Sequence, residues 1–296
     1  YFRHESDPRD RQGVEFQSLR FLWDQGVRCI AEPIDSDQEL GWSVFEFAGD
    51  TKVASQEVTE ADIDFSTEFL LDLSDLNGVP GSELMPPASE ACFSMAAIID
   101  NIDHRLEALS EANAQELVTF LRDEFRPALA FVIDWCRKRS EATGIAFTSE
   151  LDQQERTFSP CDFGFHNAVR RDDGRIVFLD FEYFGWDDPA KMTSDFLLHP
   201  AMELPPKMLR RFAGNIVAGF LGNRQLANRI KMVYPLFGLK WCLILLNEFL
   251  PANMARRDFA AGQQQESVEL CARQLTKAQT MLYRVNREYK RFPYID

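Results

Sequence analysis

The stretch SPCDFGFHNAVRRDDGRIVFLDFEYFGWDDP, residues 159–189, decides how the rest of the chain is read. Three polar side chains stand out in it: Asp162, Asn167 and Asp180. A hairpin pattern lies between the last two. Residues 168–171 read as one strand, Asp173-Gly174 as the tight turn and residues 175–179 as the return strand, with Gly174 supplying the positive φ such a turn needs. A hairpin brings its ends together. The side-chain oxygens of Asn167, which enters it, and Asp180, which leaves it, are therefore expected to converge. A hard cation such as Mg²⁺ takes an oxygen pair of that kind, with phosphate oxygens and water filling its octahedron. Asp162, on the loop just before, is then placed to orient or deprotonate a hydroxyl. The alternative is a surface hairpin flanked by ordinary Asp and Asn caps, which gives no reason for DFE and DDP to follow at these distances.

An Asp, an Asn five positions on, a hairpin, and a second Asp followed by Phe make up the layout of a kinase active site. The spelling resembles the aminoglycoside phosphotransferase and choline kinase-like family more than protein kinases. In that family the loop reads roughly HGDxHxxN and the metal strand IDFExxxxGDP; here the text is SPCDFGFHN and LDFEYFGWDDP. Pro160 is a departure, standing where the family usually has a His that props the loop. The resemblance implies a protein kinase-like two-lobe α+β fold. Its β-containing small lobe is truncated, and its large, mostly helical C-terminal lobe carries the catalytic hairpin. On that reading residues 1–50 are the remainder of the small lobe and the hinge, and 51–296 the helical lobe with the catalytic loop at 159–189. The resemblance further implies Asp162 as the catalytic residue, Asn167 and Asp180 as metal ligands, and ATP and Mg²⁺ as cofactors. The acceptor is then a hydroxyl on a small molecule, whether an amino alcohol, an aminoglycoside or a sugar.

Upstream, Phe16, Leu19, Leu22 and Trp23 give a helical stripe over 11–25, stopped by Gly26. Glu15 lies on the edge of its buried face. The resemblance implies that Glu15 pairs with a strand lysine holding the α- and β-phosphates; the alternative is a solvent-facing helix Glu. That lysine and the glycine-rich phosphate loop are not found before Glu15, and Lys52, the only lysine in the first hundred residues, falls past the hinge. The sequence is therefore expected to begin inside the small lobe, and a catalytically impaired kinase-like binding module stands as the second reading. Residues 42–47, WSVFEF, read as the hinge strand. By resemblance the backbone of Glu46 and Phe47 contacts the adenine edge.

Helices are expected over 59–76, with Asp62, Asp64, Glu68 and Asp72 on its wet face, over 90–109, and over 113–139, bent or restarted at Pro127. Asp188 and Pro189 open another helix as N-cap and first turn. By resemblance, Asp195 matches the position of a family Asp that braces the catalytic loop. Glu182 and His166 are secondary candidates for ligand contact, and Cys161 beside Asp162 reads as a loop filler. Residues 232–250 are the most apolar run, but Lys240, Asn247 and Glu248 make a buried helix a better reading than a membrane span. A last helix is expected over 266–287.

The formal charge is −15, from 32 Lys+Arg and 47 Asp+Glu. All of the imbalance lies in the first hundred residues, which hold 6 basic and 21 acidic side chains. Such a surface argues against nucleic acid as partner and accommodates a cationic small molecule. Six scattered cysteines offer no zinc motif and fit reduced thiols in a cytoplasm.

Overall fold

Phenylalanine alternates with the polar residues of the 159–189 stretch, and this alternation seats the stretch on its core. Phe163 follows Asp162 and Phe181 follows Asp180. Both rings are buried, with Phe69, Phe158, Phe178 and Phe184 around them. Phe178 stacks on Phe69 at 4.9 Å and meets Phe163 at 4.8 Å.

The computed structural model describes residues 10–112, 114–220, 222–250 and 264–295. The chain divides into two compact units. The first takes its described residues from 1–91, 151–226 and 294–296, the second from 92–150 and 227–293.

In the first unit, α1 (Arg11–Asp24) starts at Asp10, whose carboxylate accepts the Gly13 N–H at 3.1 Å. Strands β1 (Pro33–Asp37) and β2 (Trp42–Phe45) pair antiparallel from Pro33 opposite Phe45 to Asp37 opposite Trp42. β2 ends two residues earlier than the 42–47 expected. The Glu46 N–H still bonds the Glu32 carbonyl at 2.8 Å, so the backbone stays tied without a regular ladder. Helix α2 (Glu60–Asp75) opens with a capping box between Thr59 and Asp62. Asp62, expected on the wet face, is instead buried. Its carboxylate takes both guanidinium nitrogens of Arg170, at 3.1 and 3.0 Å, a pairing that sequence periodicity cannot see.

Among the described residues this unit has three short antiparallel pairings. β1 pairs with β2 as above, β3 (Thr157–Ser159) pairs with β6 (Gly185–Asp187), and β4 (Ala168–Arg170) pairs with β5 (Ile176–Phe178). The last is the expected hairpin, with a wider turn than Asp173-Gly174 alone. The Gly174 N–H bonds the Arg171 carbonyl and the Arg171 N–H bonds the Arg175 carbonyl, both at 2.8 Å. Gly174 has φ +86°, the left-handed residue that closes such a loop. Helix α6 (Pro189–Leu198) starts as expected: Asp188 accepts the Ala190 N–H at 2.8 Å, and Pro189 fills the first turn. Helix α7 (Pro206–Gly219) lies along α2, where Arg211 and Asn215 both bond Asp64.

The second unit is helical in its described residues: α3 (Met95–Ser110), α4 (Gln115–Phe120), α5 (Arg126–Thr143), α8 (Leu226–Leu245) and α9 (Gln264–Glu288). α3 starts at 95 and not at 90. Glu90 holds φ +58°, incompatible with a helix interior, and Ser94 caps the Ala97 N–H. Residue 113, where the next helix was expected to begin, lies outside the described residues. The helix restarts at Pro127 as expected: a π turn, Leu121–Phe125, ends the preceding segment, and Pro127 falls in the first turn of α5. Tyr234 of α8 donates to Glu288 of α9 at 2.7 Å, and Trp135 of α5 meets Tyr289 edge-on. The segment Leu226–Phe249 is long and apolar enough to cross a membrane, with mean hydropathy 1.3, but 78% of that window is buried inside the protein. Burial on that scale is what a core helix shows.

Candidate active site

Hairpin pairing runs on past β4 and β5 to the two residues of interest. The Leu179 N–H bonds the Asn167 carbonyl at 2.8 Å, so Asn167 and Asp180 stand beside each other at the open end. The Asn167 amide nitrogen is 3.0 Å from the Asp162 carbonyl, 3.4 Å from Asp162 Oδ2 and 3.5 Å from Asp180 Oδ2. The three side chains lie together, but the atom that Asn167 turns to Asp180 is its amide nitrogen and not the oxygen expected to converge with the carboxylate. Asp180 holds φ +66°, in the left-handed region that few non-glycine residues occupy. Its core-packed neighbour Phe181 keeps it there, and backbone strain of that kind collects where a side chain must be aimed.

Charge makes this end of the hairpin receptive to a cation. Burial pushes the Asp180 carboxyl up to about 6, and the nearby Glu182 and Asp162 push the same way. Burial likewise raises Glu15 to about 7, with Asp180 next to it adding to the effect. These groups resist ionisation first because burial strips them of water and then because carboxylates stand next to one another. Among the described residues the Arg11 guanidinium reaches the group, bonded to Glu182 and Tyr183. A divalent ion would supply countercharge. The donors are of the right kind: Asp180 offers carboxylate oxygen, and the Asn167 amide, with its nitrogen turned to the Asp162 carbonyl, keeps its oxygen for a hard cation.

Glu15, on the buried face of α1, accepts the Phe181 N–H at 3.3 Å. Among the described residues no lysine is found against Glu15. Glu182 pairs with Arg11 and is thereby engaged within the site.

Beside Asp180 opens a cleft of about 590 Å³, lined by Glu15, Leu19, Ala31, residues 42–49 and 178–180. It contains four of the six residues singled out from sequence: Glu15, Glu46, Phe47 and Asp180. Its walls are mostly apolar, as suits a flat aromatic ring. Phe47 is 78% exposed at its rim. The Glu46 carboxylate points to Arg171, which grips both its oxygens at 3.0 and 2.8 Å. The side chain thus ties the end of β2 to the hairpin, while the Glu46 N–H is already taken by the Glu32 carbonyl. Among the described residues lining the cleft there is no Lys or Arg.

Two further histidines' worth of chemistry converges on Asp162, of which the sequence pointed to one. His166 Nε2 and His199 Nε2 each lie 3.1 Å from Asp162 Oδ1. Their rings stack at 3.8 Å, 9° from parallel. Burial alone would raise the Asp162 carboxyl, but these two hydrogen bonds outweigh it and hold the group below the usual carboxylate range. Gly164 gives the loop its room: a Cβ there would come within 2.4 Å of Met202 Sδ and 2.8 Å of His166 Nδ1. His199 carries no sequence signal, because it reaches the loop only through the folding of α6.

Lys191 was also missed. It is fully buried between Asp187 at 2.8 Å and Asp195 at 3.0 Å, and its Nζ lies 3.4 Å from Cys161 Sγ. Cys161, in left-handed backbone with φ +70°, bonds the Ser89 carbonyl through its sulfur. The lysine therefore links the strand β6, the helix α6 and the loop that carries Cys161 and Asp162.

Residues 2–220 match the family described as phosphotransferase enzyme family. No curated protein matches the sequence. Among solved structures, the chain is similar to a spectinomycin phosphotransferase in complex with ADP and spectinomycin, at 12% identity over 93% of this chain and 83% of that one, with a TM-score of 0.60. It is similar to the choline kinase LicA from Streptococcus pneumoniae, at 14% identity over 92% and 80% of the two chains, TM-score 0.55. It is similar as well to an ethanolamine kinase from Plasmodium vivax, at 16% identity over 93% and 72%, TM-score 0.52. At such identities the likeness establishes the fold, which is the α+β fold of the protein kinase-like enzymes.

Proposed function

The chain belongs to the phosphotransferase enzyme family, and from that premise we propose that it transfers the terminal phosphoryl group of ATP to a hydroxyl of a small molecule. One observation carries this reading: Asp162, Asn167 and Asp180 converge, with the Asn167 amide nitrogen within 3.5 Å of both carboxylates, and Asp180 lines an apolar cleft.

Phosphoryl transfer asks little covalent chemistry of the protein and much alignment. The cleft beside β2 takes the nucleotide base, with the Glu46 and Phe47 backbone at its edge. Asn167 and Asp180 would hold Mg²⁺, which neutralises charge on the phosphates when bound. Asp162 accepts the hydroxyl proton or fixes the direction of the oxygen lone pair toward phosphorus. Its ionised state suits that work, since a protonated carboxyl could do neither.

The acceptor class is narrowed by charge. The acidic first hundred residues favour an amino alcohol or aminoglycoside over a neutral sugar. That solved structures of similar fold include choline, ethanolamine and spectinomycin enzymes is in keeping with an amine. The test is ADP release from Mg·ATP against a panel of amino alcohols, aminoglycosides and sugars. We expect acceptor-dependent release with at least one amine. Acceptor-independent silence across the panel would leave the second reading, a kinase-like module that binds without turnover. That reading draws on the cleft's lack of a lysine or arginine among its described lining residues. A thermal shift with Mg·ATP separates the two readings from a protein that binds no nucleotide.

A further inference from the structure

We infer that His199 is the positioning residue for Asp162: locked in a single tautomer by the Ala201 backbone, it donates its Nε2–H to Oδ1 and leaves Oδ2 as the oxygen presented to the acceptor hydroxyl. This deepens the proposed reaction and rests on Asp162 having the role given to it there.

The geometry starts with Pro200. A residue before proline is driven out of helical backbone, and His199 accordingly ends α6 with φ −58° and ψ 122°. The ring is thereby turned from the helix toward the loop. The turn that follows closes with the Met202 N–H on the His199 carbonyl at 3.1 Å. Within it the Ala201 N–H points at His199 Nδ1 at 3.2 Å. An N–H can only donate, so Nδ1 must be the ring nitrogen with the lone pair. The hydrogen of the neutral ring then sits on Nε2, facing Asp162 Oδ1 at 3.1 Å.

His166 stands parallel to it and reaches the same oxygen. Its Nδ1 is buried with no hydrogen-bond partner. A bare ring nitrogen is cheaper to bury than an unpaired N–H, so His166 too is best accommodated with its hydrogen on Nε2. Two donors then saturate Oδ1. Among the described residues Oδ2 has only the long contact of 3.4 Å from Asn167.

The same three side chains place potential ligand atoms within 4.8 Å of one another, a set that resembles a zinc site. The tautomer argues against that use. A metal on His199 Nε2 needs the lone pair there, and a neutral imidazole has one, which Ala201 already holds at Nδ1. Capturing a metal would break the Ala201 bond.

The experiment has two arms. Long-range ¹⁵N–¹H spectra of protein labelled at histidine nitrogen read the tautomer without any need for activity. We expect His199 as the Nε2–H form; an Nδ1–H form overturns the inference. In the second arm, His199→Phe keeps the stack on His166 and loses the donor, whereas His199→Gln keeps a donor at the position of Nε2. We expect His199→Phe to lower kcat roughly 10- to 100-fold, as misplacement of a reacting group does, with KM for both substrates and the thermal midpoint near those of the parent. His199→Gln should recover most of that loss. Full kcat in His199→Phe, or an equal fall in both variants together with the thermal midpoint, overturns it. So does tight zinc binding by the parent that His199→Phe abolishes. Absence of turnover in the parent enzyme counts against the proposed function, and the tautomer arm then decides the clamp by itself.

Discussion

A single residue, Asp180, shows how conformation and charge are coupled at this site. Its left-handed backbone aims the carboxylate at Asn167, and its burial among Glu182 and Asp162 lifts it to about 6. Glu15 beside it lies at about 7. Both values are above those of the unfolded chain, so the folded protein binds protons that the unfolded one has released. Stability from these groups is full below about pH 4 and is lost as pH rises through 6 and 7. Thermal unfolding in chelator should therefore weaken from pH 5 to pH 8. Glu15→Gln removes one of the two groups and should raise stability at pH 8 by on the order of 1–3 kcal/mol while flattening the slope. Calorimetry at the two pH values checks this, and an unchanged slope in the variant counts against the burial argument. Asp162 works in the opposite sense. Held low, it contributes above the ordinary carboxylate range and loses that contribution only in strong acid, so it does not disturb the window. Mg²⁺ should restore stability at pH 8 in the parent and do much less in Asp180→Ala, readable by thermal shift.

At the scale of elements, the hairpin β4–β5 is held from two sides, by Arg170 on Asp62 of α2 and by Arg171 on Glu46 at the hinge. Its turn was legible because Asp-Gly is a local signal and Gly174 needs no distant partner. The two arginine grips were not, since each joins residues far apart in sequence and a charged side chain on a strand reads as solvated. Asp62 shows the limit well: its capping pattern with Thr59 is written locally, but its burial follows from Arg170. Helix α3 starts late for a local reason that composition hides, a left-handed Glu90 followed by the Ser94 cap. Gly174→Ala forces a side chain into left-handed backbone and should cost about 1 kcal/mol. Lys191→Met should cost more, about 3–5 kcal/mol, because it leaves the carboxylates of Asp187 and Asp195 facing each other without the buried cation. Urea unfolding separates the two; equal, small losses would mean that Lys191 is a bystander.

For the whole molecule, the family and the protein kinase-like fold were legible from one stretch, because the catalytic loop, the hairpin and the Asp-Phe-Glu strand lie together in sequence. What the sequence hid is assembled by tertiary contact: the His199 clamp, the Lys191 bridge and the cleft's closure around Asp180. The charge reading also gains detail. Part of the acidity in the first hundred residues is answered by Arg170, Arg171 and Arg211 from later in the chain. The remainder still favours a cationic acceptor, whose KM should rise with ionic strength between low and physiological salt while that of a neutral sugar stays level. The measurement that bears most directly on the central claim is turnover by Asp162→Ala, taken with its affinity for Mg·ATP by calorimetric titration. The account predicts a fall in acceptor-dependent ADP release of about 10³-fold or more, as for a group acting on the reacting atoms, with nucleotide affinity essentially that of the parent. Turnover at the parent rate in that variant would contradict it.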